Sequence, residues 1–200
     1  MNLKLAFPLL LVFLGLIPSC CPEVVPFYIP GTLETEVVLD RVLYTDLEEP
    51  EISSVDGLQI WLSFEDLQYV ADSKLVLALQ SACYATQPCP EDGHGGLKSK
   101  VTSIKITSSE EFQGTASGED INQFFHVLEF DGRDENNEII YSQQSVSSSL
   151  ENFDYLTYTQ SYVEIDFSEL PGNNQEHRFT VELTFENQST LSGSTGPIQF

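Results

Sequence analysis

The sequence predicts an all-β, mainly antiparallel chain: an immunoglobulin-like β-sandwich with one or two short helices. Three observations lead there. Apolar and polar residues alternate with period two in several short segments, as half-buried antiparallel strands require. The gaps between them carry turn chemistry at Asp92-Gly93, Asp131-Gly132, Pro171-Gly172-Asn173-Asn174 and residues 193–197. About eight or nine such strands, spaced along the chain, fit a two-sheet sandwich.

Residues 20–34 hold Pro22, Pro26, Pro30 and Gly31, and read as an extended tether into a single sandwich over 35–200. Residues 36–44 form a first, weaker strand. Residues 58–64 alternate cleanly, with Leu58, Ile60, Leu62 and Phe64 on one face and Trp61 on the other. Residues 75–84 begin apolar on both faces, the mark of a central strand. Residues 101–107 place Thr102, Ile104 and Ile106 inward, against Ser103 and Lys105. The stretch 108–118, rich in Ser, Glu and Gly, is an exposed excursion. Asp120 then caps a short helix over 121–125, and a second helix covers 150–156.

Residues 125–130, 139–144 and 197–200 are weaker strands. Residues 162–167 turn Val163, Ile165 and Phe167 inward and Glu164 and Asp166 outward. Residues 178–186 are the clearest strand: Phe179, Val181, Leu183 and Phe185 share one face, and Arg178, Thr180, Glu182, Thr184 and Glu186 the other. A chain of this length can bury roughly 70% of its unfolded surface, enough for one core.

The N-terminus carries a different signal. Residues 1–19 hold one positive charge, Lys4, followed by the apolar run 5–17. That run is too short to span a bilayer and fits the apolar region of a secretory signal. Ile17-Pro18-Ser19-Cys20 matches a lipobox, with a branched apolar residue at −3 and a small one at −1. Cleavage before Cys20 and acylation of its thiol are therefore expected. Acyl chains anchor at roughly 0.8 kcal/mol per buried CH₂, so three of them on Cys20 suffice without a transmembrane helix. Position +2 is Cys21, not the Asp that retains enteric lipoproteins in the inner membrane. The expected location is the cell outer membrane, with the domain periplasmic or surface-facing.

With Cys20 acylated, Cys21, Cys83 and Cys89 remain in a compartment where disulfides persist. Pairing Cys83 with Cys89 closes a short loop and contributes about 2 kcal/mol in the chain-entropy model. Pairing Cys21 with Cys83 closes a long one and contributes about 4–5 kcal/mol. The sequence is compatible with either. No CxxC or HxxxH spacing supports zinc.

Charge removes several function classes. Eight Lys+Arg against 31 Asp+Glu give a formal charge of −23. Nucleic acid is repelled by such a chain, and a polybasic membrane-surface patch has no residues to build it. At 41% hydrophobic and 11% aromatic, the chain is also no disordered acidic tail.

Candidate chemistry is sparse. Glu91, Asp92 and His94, on a Gly-rich loop beside Cys89, are weak candidates for a divalent cation. Three ligands so close together rarely complete a coordination shell, so a solvated turn is the stronger reading and no metal is assigned. Glu129, Asp131, Asp134, Glu135 and Glu138 lack calcium-loop spacing and read as a charged hairpin end. His126 reads as a satisfied sheet histidine. Trp61 reads first as cover for the second side of the sheet, and second as an exposed platform for a sugar or a partner. G-x-S-x-G, S-x-x-K and H-E-x-x-H are absent, so no catalytic residue, no cofactor and no enzymatic role are expected. Phe200 invites comparison with outer-membrane barrels. Gly193, Gly196 and Pro197 interrupt that terminus, however, and most strands fall short of the ~9–11 residues a barrel strand needs.

Ser19-Cys20-Cys21, Ser81-Ala82-Cys83-Tyr84, residues 100–107 with 118–125, and the closing strand 179–185 ahead of Thr195-Gly196-Pro197-Ile198 resemble a family of uncharacterised Bacteroidetes lipoproteins of about this length. Cys89 and the Gly-rich stretch 93–96 depart from it. The family has no assigned activity, so the resemblance implies no functional residues. The expected role is non-catalytic binding or structural association at the envelope, with the lipid in the membrane and an envelope protein or glycan as partner. The rival expectations are a small hydrolase working through a carboxylate pair and a calcium-dependent adhesion module.

Overall fold

The computed structural model describes residues 27–43, 52, 54–70, 95–133, 139–155 and 162–200. From the N-terminal side come β1 (Phe27–Ile29), β2 (Thr32–Leu39), β3 (Val42–Leu43), β4 (Leu58–Glu65) and β5 (Gln68–Val70). They are followed by β6 (Val101–Ser108), β7 (Phe125–Arg133), β8 (Ile139–Ser145) and β9 (Val163–Phe167). The last four are β10 (Glu176–His177), β11 (Phe179–Phe185), β12 (Thr190–Ser194) and β13 (Ile198–Gln199). All pair antiparallel, in a six-stranded sheet β3-β2-β4-β9-β7-β8, a three-stranded sheet β12-β11-β6 and the ribbons β1-β5 and β10-β13.

Alternation drives this assembly. In β4, β9 and β11 every second residue is buried, as the sequence pattern requires. Register then aligns apolar partners: Ile60 opposite Ile165 and Leu62 opposite Val163 in one sheet, Val181 opposite Ile106 and Leu183 opposite Ile104 in the other. These inward side chains join one buried cluster with Tyr28, Phe112, Phe153 and Ile198. Each fully buried Leu, Ile, Val or Phe contributes about 1.5–3 kcal/mol. Phe167 lies 4.7 Å from Phe125 and 5.2 Å from Phe179, so aromatic contacts run from β7 and β9 across to β11. The result is an all-β domain of antiparallel sheets, consistent with a β-sandwich. Along one side β12 lies against β2: a Cβ on Gly193 would collide with the Leu33 carbonyl and the Thr35 hydroxyl, so this approach requires glycine.

Several local expectations are corrected. The two expected helices are 3₁₀ turns, at Asn122–Phe124 and Leu150–Tyr155, and the described residues contain no α-helix. The first cannot lengthen because its neighbour Phe125 opens β7. Asp120 does accept a hydrogen bond from the Asn122 N–H, at 2.8 Å. The Asn122 amide in turn is stitched to β6, accepting from the Ile106 N–H (2.9 Å) and donating to the Ile104 carbonyl (2.8 Å). Thr102 is exposed rather than inward, because the β11–β6 register shifts beside it and leaves Val101 to fill the core. Asp131-Gly132 is not a turn; β7 runs through it with an irregularity, Gly132 sitting at φ 125°.

The strand expected over 36–44 divides instead into the β2–β3 hairpin. Its two-residue turn, Asp40-Arg41, has both residues at positive φ. Pairing also begins earlier than the tether 20–34 allows, since Phe27–Ile29 and Thr32 onward are already laddered.

The expected disulfide is withdrawn. The described residues contain none, and what closes them is hydrogen-bonded ladders around an apolar core. Cys20, Cys21, Cys83 and Cys89 lie outside the described residues, as do the strand expected over 75–84 and the turn at Asp92-Gly93.

Candidate binding face

The six-stranded sheet sends one face into the core and the other away from it. On the latter, cross-strand register sets Glu36, Trp61 and Glu164 in one row, and Gln59, Asp166, His126 and Ser145 in the next, which begins at a fully buried Val38. Trp61 and Tyr162 meet on the diagonal, with ring centroids 4.0 Å apart and planes 4° from parallel. Such a pair adds about 0.5–1.5 kcal/mol beyond its burial. Both rings remain partly exposed.

A chain of hydrogen bonds ties this pair to two carboxylates. Trp61 Nε1–H donates to Gln59 Oε1 at 2.9 Å. An indole can only donate, so the amide oxygen must face it and the amide NH₂ must face the other way. That NH₂ donates to Asp166 Oδ1 at 2.8 Å and to Glu164 Oε2 at 3.3 Å. Trp61 therefore sets the orientation of Gln59, and Gln59 holds both acids. A cation between the two carboxylates would have to displace this amide. Among the described residues, no three His, Cys, Asp or Glu side chains gather closely enough to hold a metal ion.

His126 shares the face and pairs its Nδ1 with Ser168 Oγ at 2.9 Å, the satisfied sheet histidine that its alternation implied. Close to β2 and β3 lies a groove of about 150 Å³, lined by Thr35, Glu36, Leu43 and Pro197 among others. It is smaller than the ~300–1,000 Å³ typical of small-molecule pockets.

A second polar relay runs from the core out to the half-buried Asn173. Ser108 Oγ lies 2.8 Å from His177 Nδ1, and His177 Nε2 lies 2.8 Å from Asn173 Oδ1. The Asn173 oxygen accepts, so Nε2 carries the proton and Nδ1 accepts from the Ser108 hydroxyl. On paper this is a nucleophile, a base and an orienting amide. Its surroundings give it another role. Ser108 and His177 are buried, and the imidazole packs edge-on to Phe112 and Phe200 and parallel to Phe179. The relay satisfies polar groups inside an aromatic core. Burial pushes the His177 pKa below the ordinary histidine value, with Glu110 opposing more weakly.

Of the residues singled out from sequence, Trp61 and His126 fall on this outer face. Cys20, Cys21, Cys83, Cys89, Glu91, Asp92 and His94 lie outside the described residues, as do Asp134, Glu135 and Glu138 of the acidic cluster. No helix among the described residues is long and apolar enough to cross a membrane. Sequence reasoning missed the partners of Trp61. Alternation places Gln59, Glu164 and Asp166 outward, but only register makes them neighbours. Comparison with family models, curated proteins and solved structures finds no match, so the chemistry of this face is read from its own residues.

Proposed function

We propose that this protein is a lipid-anchored cell-envelope module that acts by non-catalytic binding through the outer face of its six-stranded sheet. The observation carrying this reading is the Trp61–Tyr162 stack coupled through Gln59 to Glu164 and Asp166. In this reading Cys20 bears the acyl chains, the outer membrane holds them, and the sheets form an immunoglobulin-like sandwich on a short lead. The core shared by the two larger sheets supports the sandwich. The lipobox supports the anchor.

The hydrolase reading gains one observation, since Glu164 and Asp166 share an amide. Geometry argues against it. Glycoside hydrolysis places its acids on either side of the scissile bond, whereas these two sit on the same strand and the same face, two residues apart.

Intact-mass spectrometry of the membrane-extracted protein tests the anchor. The expected species begins at Cys20 and carries acyl mass, and Cys20→Ala moves the protein out of the outer-membrane fraction. An unacylated chain released into the medium would overturn that half of the reading. A rise in melting temperature on adding Ca²⁺ would favour the adhesion module instead.

A further inference from the structure

We infer that the ligand of this face is a neutral glycan, stacked on the outer ring face of the Trp61–Tyr162 pair and met by the flanking carboxylates of Glu36 and Glu164. The inference rests on the binding-face reading above and names its ligand class.

Shape is the first argument. Two rings 4.0 Å apart and 4° from parallel form a flat stack. A cage for an ammonium ion needs rings set at angles around one point, which a parallel pair does not provide. The faces the rings turn toward each other are closed, and the flat, C–H-rich side of a pyranose matches the outer face that a stacked pair leaves. Chemistry is the second. Register puts a glutamate on the strand to each side of Trp61, at about 5 Å strand spacing. Ionised carboxylates only accept hydrogen bonds, and hydroxyls around a sugar ring donate them.

Exclusion is the third. No Lys or Arg occupies either outward row, and the chain carries −23, so phosphate, sulfate and uronate ligands are repelled. The Gln59 NH₂, oriented by Trp61, fills the space between Glu164 and Asp166 that a metal ion would take. Gln59 and Asp166 are positioning residues here. Asp166 Oδ2 is buried and Oδ1 holds the amide, so the acid fixes the relay while Glu164 faces the ligand.

Trp61 is the chain's single tryptophan, which makes its fluorescence a reporter for this face. The experiment titrates the detergent-solubilised, full-length protein with cellohexaose, xylohexaose, mannohexaose and maltohexaose, and separately with a Lys-rich peptide. Calorimetry runs in parallel. The expected result is a saturable emission change with at least one oligosaccharide. By calorimetry, affinity falls by up to about tenfold in Trp61→Ala, the loss expected for removing an aromatic stack. Trp61→Phe, which keeps a ring, retains part of it. Glu164→Gln keeps the shape and the fold and weakens binding severalfold.

Silence toward all four sugars overturns the inference. So does sugar binding that survives both Trp61→Ala and Glu164→Gln, because the site would then lie elsewhere. Saturation by the Lys-rich peptide alone overturns the glycan while leaving the binding face standing.

Discussion

Two side-chain relays run through this protein, and they use the same parts differently. In the core, Ser108, His177 and Asn173 pass hydrogen bonds in line, and His177 is enclosed by phenylalanines. On the outer face, Trp61, Gln59 and two acids do likewise, but the line ends in carboxylates and carries a partly exposed aromatic stack. The inner relay balances its donors and acceptors, which is what a buried polar group needs to avoid a desolvation penalty. The outer one ends in more acceptors than its amide can supply with donors. A Ser–His–Asn line has the parts of a nucleophile, a base and an orienting group. Here its burial makes it architecture, whereas the plainer relay lies on the partly exposed outer face of the sheet.

The largest effect that would test this contrast is expected at His177. His177→Ala should cost about 3–5 kcal/mol in urea denaturation, because it opens a cavity among aromatic rings and takes the acceptor of the Ser108 hydroxyl and the donor to Asn173 Oδ1. A loss under 1 kcal/mol would mean the inner relay is not structural. Gly193→Ala should come next, at about 1–3 kcal/mol, since the added methyl strikes the Leu33 carbonyl and the Thr35 hydroxyl where β12 meets β2. On the outer face, Gln59→Ala should cost only about 1 kcal/mol of stability. It should also change the emission of Trp61, whose indole N–H loses its acceptor.

The smallest effect is a pH slope. The folded pKa of His177 is depressed by burial, so the unfolded chain takes the proton first as pH falls. Its stabilising contribution is complete above the ordinary histidine value of about 6.5 and declines as pH drops through the lowered folded value. His177→Gln should remove that part of the slope, measured as unfolding free energy against pH.

Much of the fold was legible before any coordinates. Period two placed β4, β9 and β11 and named their buried residues, because a half-buried strand must alternate. The same rule missed Thr102, since a register shift inverts the phase and leaves no mark in local composition. It also read 36–44 as one strand, because Asp40-Arg41 lacks the Asn-Gly or Asp-Gly signal that usually announces a two-residue hairpin. Of the outer face of the six-stranded sheet, Trp61 was visible as a residue of two readings. Tyr162, Gln59, Glu164 and Asp166 were visible only as outward positions. His177 gave no hint of its burial, sitting in a polar stretch two residues before Phe179.

Amino-acid order was enough to establish the all-β class, the inward faces of β4, β9 and β11, and the acidity. Each of these is a local property, written in the spacing of residues along one segment. Which strand lies beside which was decided by the tertiary structure, and with it whether a polar side chain ends in the core or on the surface. Cross-strand register depends on how distant segments share a core, so Trp61 and Glu164, 103 positions apart in sequence, became neighbours only when β4 met β9.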